Sequence, residues 1–290
     1  DPYTTHRLSS IMSMPNVQNS SEVPQKWNLH QWLSAMDEQV RKQDFSQARN
    51  LILQALPIFP GHALLQNRLL MVDSRWSESI SSRGIHLVTP NEDDFSYLQR
   101  CYTDEAFMQQ FLPMGRKKQS TEVIQHALRQ SEFSVAHYRC MHRIIKKEVP
   151  STSERSFSQC DFKPIGLASL VDIQIAHRRA DLLVGIPDHS ERQRATAVAM
   201  MLIMDLAFNE IGLHKLTSLV LANNPHSQRS TVAIGFTQEG LRRQHLCDPR
   251  TLQWLDCYEN GIVADDFRHN PIIARVSKRL LGRDITTKPV

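Results

Sequence analysis

The sequence predicts a mixed α/β fold: one sheet flanked by helices, with a small all-α unit ahead of it. Three observations lead there. From Ile85 to Glu259 the pattern runs strand, helices, three strands, long helix, strand, helix, two strands. It does not repeat regular βαβ units, which argues against a dinucleotide-binding sheet. Ahead of Trp76 the apolar residues fall at helical spacing only.

Taken in order, residues 1–25 are rich in Ser, Asn, Thr and Pro and read as a flexible tail. Residues 26–78 form the helical unit. Leu29–Gln43, Phe45–Leu56 and His62–Trp76 are its expected helices, with Pro57 and Pro60-Gly61 ending the second. Trp32, Phe45, Ala48, Ile52, Ala55 and Pro60 match the spacing of one tetratricopeptide repeat. A lone repeat cannot bury its own face, so the hairpin either packs on the rest of the chain or binds a protein partner.

Ser79–Arg83 reads as a polar linker, and residues 83–285 as the α/β unit. Gly84–Pro90 is a strand. Asn91 caps a helix over Glu92–Cys101, whose first turn is acidic. Thr121–Gln130 is a helix and Phe133–Ile144 a strand. Lys146–Lys163, with its Pro and Ser residues, reads as a mobile loop. Strands follow at Pro164–Ile173 and His177–Ile186, then the long apolar helix Glu191–Ile211. His214–Ala222 is a strand, Ser227–Ile234 a helix, and Phe236–Cys247 and Leu252–Glu259 are strands.

The net charge of +4 suits an anionic ligand but is too mild and too evenly spread for nucleic acid. No apolar run reaches the length of a membrane span, and the first residues lack a signal-peptide pattern. Five widely spaced cysteines suggest reduced thiols and a cytoplasmic protein. His137, Cys140 and His142 do not converge on one strand face, so no metal is expected.

Three stretches together resemble the GNAT superfamily of acyl-CoA-dependent N-acyltransferases. They are Gly166-Leu167-Ala168-Ser169-Leu170, the run from Ala207 to Leu216, and Asn224-Pro225-His226-Ser227 followed by Gly235-Phe236 and Glu239-Gly240. The last is similar to the branch that acetylates ribosomal-protein amino termini. The resemblance implies acetyl-CoA, or another acyl-CoA, as co-substrate and an amine as acceptor, with a protein amino terminus among the candidates. It places the coenzyme pyrophosphate at the amino end of the long helix, where free N–H groups and the helix dipole favour an anion. The matching stretch is Ser190 to Thr196, with Arg192, Gln193, Arg194, Ala195 and Thr196 as binding candidates. Arginines stand here where the family has glycines. Two strands splaying apart near Ile186 would expose main chain to the coenzyme arm, with Asn224 as a second anchor. Ser227 would protonate the departing thiolate. The base stays open among His245, Asp172 and an ordered water, because Leu246 replaces the branch's glutamate. Trp254 replaces another acidic residue. These departures keep a second possibility in play: a GNAT-shaped domain that has lost catalysis and serves as a scaffold.

Overall fold

The computed structural model describes residues 27–112, 139–150, 160–248 and 251–287, with positions 121, 122, 124, 125 and 135 between the first two stretches. The expected tail, His137 and most of the expected helix at 121–130 lie outside the described residues.

Helix α1 (Leu29–Arg41) starts at Asn28, whose side chain accepts from Gln31 N while the Gln31 side chain accepts from Asn28 N, a capping box. Asp44 caps α2 (Phe45–Ala55) in the same way through Gln47 N. Helix α3 is Ala63–Met71. Their apolar stripes meet in a core of their own, with Trp32, Met36, Ala48, Ile52, Ala55 and Leu65 almost fully buried. Ala48 and Ala55 have no exposed surface, so α1 and α2 approach closely there.

This unit is tied to the sheet. Leu70 and Trp76 belong to the main core, and Trp76 Nε1 donates to Leu70 O at 2.7 Å. The expected polar linker is in fact part of the sheet: Ile80–Ser82 forms β1, antiparallel to β2 (Ile85–Val88). Arg83 and Gly84, at φ 49° and 78°, make the tight turn between them. Such a turn sets the register without an apolar pattern, which is why two serines can occupy an edge strand.

A 3-10 turn at Glu92–Asp94, boxed by Asn91, leads into α4 (Phe95–Thr103), and α5 (Glu105–Phe111) follows. The next strand, β3, covers Met141–Pro150, with residue 135 helical and 139 in a bend ahead of it, while 133, 134 and 136–138 of the expected strand lie outside the described residues; β4 covers Cys160–Gln174. Both run well into the stretch expected to be a loop. Pairing continues from Met141↔Leu170 to Pro150↔Cys160, so the hairpin extends beyond the core where polar residues suffice. Then come β5 (Arg179–Gly185), α6 (His189–Asp205), a π-type turn at Leu206–Ile211, β6 (Lys215–Leu221) and α7 (Pro225–Ala233). Strands β7 (Thr237–Cys247) and β8 (Trp254–Val263) precede two helices absent from the sequence reading, α8 (Ala264–Arg268) and α9 (Pro271–Leu281).

The strand order is β1-β2-β3-β4-β5-β6-β8-β7. One face buries α6 and α9 over Leu182, Leu216 and Ile262; the other buries α4 and α5 over Ile144, Leu167 and Leu183. Gly185 lets α5 lie close, since a Cβ there would stand 2.7 Å from Phe111 Cδ2.

Candidate functional site

The site begins with an interrupted ladder. Strands β5 and β6 are parallel, and they pair only at Arg179↔Lys215, Ala180↔Leu216 and Asp181↔Thr217. Beyond that point β5 continues to Gly185 and β6 to Leu221 without pairing to each other. The two strands therefore open into a V towards their carboxyl ends. Helix α6 follows β5 and α7 follows β6, so both helix amino ends stand at the mouth of the same V. The positive ends of two helix dipoles at such a mouth favour an anion.

At the α6 end, Asp188 caps the helix by accepting from Ser190 N at 2.8 Å. Arg192 turns back over the loop. Its Nε donates to Ile186 O at 2.7 Å and its Nη2 to Pro187 O at 3.2 Å. Its guanidinium is thus committed to the protein's own carbonyls, and the Ile186 carbonyl is taken. Gln193 continues the helix, Ala195 is buried, and Thr196 Oγ1 donates to Arg192 O at 2.7 Å. Arg194 is exposed and lines a different cavity, with Arg83 and Arg279. Glu191 accepts from Lys147 at 2.8 Å and Lys163 at 3.0 Å, and these bonds hold its carboxyl below the usual range.

The α7 end is simpler. Asn224 Oδ1 accepts from Ser227 N at 3.1 Å, and Pro225 occupies the first helical position. Ser227 is half-buried, and its hydroxyl makes no side-chain hydrogen bond to any described residue.

The two base candidates fare differently from expectation. Asp172 is exposed, and Arg179 at 2.9 Å and Gln174 at 3.0 Å engage its carboxylate. It sits at the hairpin between β4 and β5, away from the open end of the V. A regular strand would point His245 away from the position of Leu246. The register of β7 in fact shifts between Arg242 and Leu246, and Gln244 has φ 48°. His245 Nε2 consequently lies 3.4 Å from Nη1 of Arg242, whose Nε and Nη2 donate to the Glu259 carboxylate.

Asp181, which the sequence reading passed over, occupies the last paired position before the strands part. The Thr217 hydroxyl donates to its carboxylate, and Arg179 Nη1 is 3.9 Å away. Burial pushes its pKa up, against the Thr217 bond, and the nearby Asp172 charge adds to the rise. The signal available in the sequence was a single carboxylate inside the apolar run Ala180–Val184. On the same stretch of sheet, Lys215 pairs with Glu239 at 2.7 Å. Among the described residues no group of three His, Cys, Asp or Glu side chains could hold a metal ion, and no helix is long and apolar enough to cross a membrane.

An eight-stranded mixed sheet whose parallel pair opens between two helix amino ends can be compared with known folds. The Vibrio cholerae spermidine N-acetyltransferase, in complex with CoA and spermine, superposes with a TM-score of 0.50 at 17% identity, over 62% of this chain and 95% of that one. Mycobacterium smegmatis RimJ, in complex with CoA-disulfide, gives 0.52 at 16% identity, over 66% and 90%. This is the GNAT acetyltransferase fold. The chain is also 35% identical over 96 residues to the spermidine N(1)-acetyltransferase of Escherichia coli strain K12. That stretch is 32% of this chain and 51% of the relative, so the chain spans about half the length of the curated relatives it matches. No family model matches the chain. The two spermidine enzymes are N-acetyltransferases by name.

Proposed function

We propose that this chain is an acyl-CoA-dependent N-acetyltransferase acting on a primary amine. The observation that carries the reading is the V between β5 and β6, with an unpaired strand edge on each side and a helix amino end at each tip. The coenzyme arm pairs with the freed main chain, and its pyrophosphate meets the N–H groups at the start of α6. The acceptor amine reaches the thioester from the α4–α5 face of the sheet, where Asp181 stands at the apex.

The chemistry divides between two side chains. Asp181 takes a proton from the attacking amine, directly or through one water, as the C–N bond forms. A carboxylate with a raised pKa is the better base for this step. The tetrahedral intermediate then expels the thiolate, and Ser227 Oγ–H protonates the sulfur. The curated relatives act on spermidine by name. A small polyamine is therefore the first acceptor to try, and a protein amino terminus the second.

Arg192 favours a second reading. Its bonds to Ile186 O and Pro187 O fill part of the loop where a phosphate would sit, as a domain without coenzyme would allow. Titration calorimetry with CoA separates the two. Micromolar binding, with acetyl-CoA turnover on spermidine slowed at least tenfold in Ser227→Ala and CoA affinity unchanged, supports the enzyme. No binding at millimolar CoA leaves the scaffold. Binding with normal turnover in Ser227→Ala removes only the role of that serine.

A further inference from the structure

A second anion site is suggested by three arginines that have no side-chain partner among the described residues. Arg83 sits in the β1–β2 turn, Arg194 in the second turn of α6 and Arg279 in the last turn of α9. With Ala197 and Leu280 they line a cavity of about 510 Å³. All three are exposed, and none forms an ion pair or a side-chain hydrogen bond with any described residue. Their neighbours are paired. Lys278 meets Asp284 at 3.2 Å, Arg283 meets Asp205, and Glu148, which packs beneath Gly84, is bonded to His86.

Three like charges gathered from distant parts of the chain repel one another unless an anion joins them. The carboxyl end of α9 offers a reason for a cation at Arg279, and for Arg83, whose Nη2 reaches to within 3.8 Å of where a Gly282 Cβ would stand. It offers none for Arg194. That residue sits near the positive end of α6, where the helix dipole disfavours a cation. Arg83 also occupies a left-handed turn position that asparagine or glycine fills more easily.

We propose that Arg83, Arg194 and Arg279 form a binding site for a phosphate monoester, separate from the amino end of α6. Guanidinium forks on three elements match the several oxygens of a dianionic phosphate, and the apolar floor of Ala197 and Leu280 suits the organic part of the ligand. Two sources carry this chemistry: the 3′-phosphate of a CoA molecule whose pyrophosphate lies at α6, or a free phosphorylated metabolite. The coenzyme source rests on the acyl-CoA reading; the site itself does not.

The test uses the full chain and the double variant Arg83→Gln with Arg279→Gln, both exposed positions whose loss should leave the unliganded protein folded with a cooperative melt. Inorganic phosphate should raise the wild-type Tm above that in chloride of equal ionic strength, and the variant should lose this difference. CoA and dephospho-CoA are then compared by calorimetry. A wild-type preference for CoA of about tenfold or more, erased in the variant, assigns the site to the coenzyme. A phosphate response without that preference assigns it to a free phosphomonoester. Wild type and variant behaving alike in both arms overturns the proposal. CoA failing to bind at all, while phosphate still distinguishes the two proteins, overturns the acyltransferase reading and leaves this site standing.

Discussion

The two edges of β5 are built for different purposes. Towards β4 the strand pairs at five successive positions, Leu167↔Gly185 to Val171↔Asp181. Towards β6 its pairing stops at Asp181. One edge satisfies its main chain and packs side chains on both faces. The other leaves main chain free and holds a half-buried carboxylate at the point of opening. One strand therefore carries stability on one side and chemistry on the other, and mutations on the two sides should separate cleanly.

The largest expected effect lies on the open side. Asp181→Asn keeps the shape and removes the proposed base, so kcat/KM should fall by on the order of 10²–10⁴. Stability should hold or rise. The folded pKa of Asp181 lies above its unfolded value, so the native state binds the extra proton. Its charge therefore costs stability as pH rises through the folded pKa, and the amide removes that cost. In the wild type, kcat/KM should climb with pH through this raised pKa, and the acid limb should vanish from the residual activity of the variant. A variant that loses Tm and activity together would place Asp181 among the structural residues instead.

The closed side should show the reverse. Gly166 sits where a Cβ would come within 2.6 Å of Gly185 O and 2.7 Å of Ile186 Cγ1. The first of these is main chain and cannot swing aside. Gly166→Val should cost about 1–3 kcal/mol, the usual range for overpacking, and lower the urea midpoint. Where the protein remains folded, the pH dependence of turnover should keep its wild-type form. A change in that profile would show that the two edges are coupled.

The division also explains what could be read from the sequence. Helices α1, α2, α6 and α7 carry local signals, namely apolar spacing, Asn28, Asp44 and the Asn224-Pro225 start, and they lie close to where those signals place them. The outer parts of β3 and β4 were missed because Lys146, Lys147 and Glu148 face solvent or ion pairs and carry no apolar alternation. Strand β1 was missed because a turn fixes it. The V was expected only through a family resemblance, since nothing in Leu182–Gly185 or Ser218–Leu221 distinguishes an unpaired strand edge from a paired one. Asp181 escaped notice because its importance depends on Thr217, far along the chain. The commitment of Arg192 to two carbonyls was hidden for the same reason: the arginines looked alike in sequence, and only the fold sends Arg192 and Arg194 to different places.

The smallest effect lies at the start of α6, between the two edges. Glu191 places a carboxylate in the first turn, where the helix dipole favours it, and two lysines from the closed side hold it. Lys147 and Lys163 are about half exposed, so pairs of this kind are worth roughly 0–1 kcal/mol in water. Glu191→Gln should therefore lower stability by less than about 1 kcal/mol. It should also act on the ligand. The carboxylate occupies the same positive end of the helix that a pyrophosphate would use, and it neutralises two cations beside it. Without it, Lys147 and Lys163 become free to meet a phosphate. CoA affinity should tighten about threefold to tenfold at low salt, with the gain shrinking as ionic strength rises, because the new contacts are near the surface. Weaker binding in Glu191→Gln would mean that the carboxylate positions the loop for the coenzyme, and that the two lysines serve the β3–β4 hairpin alone.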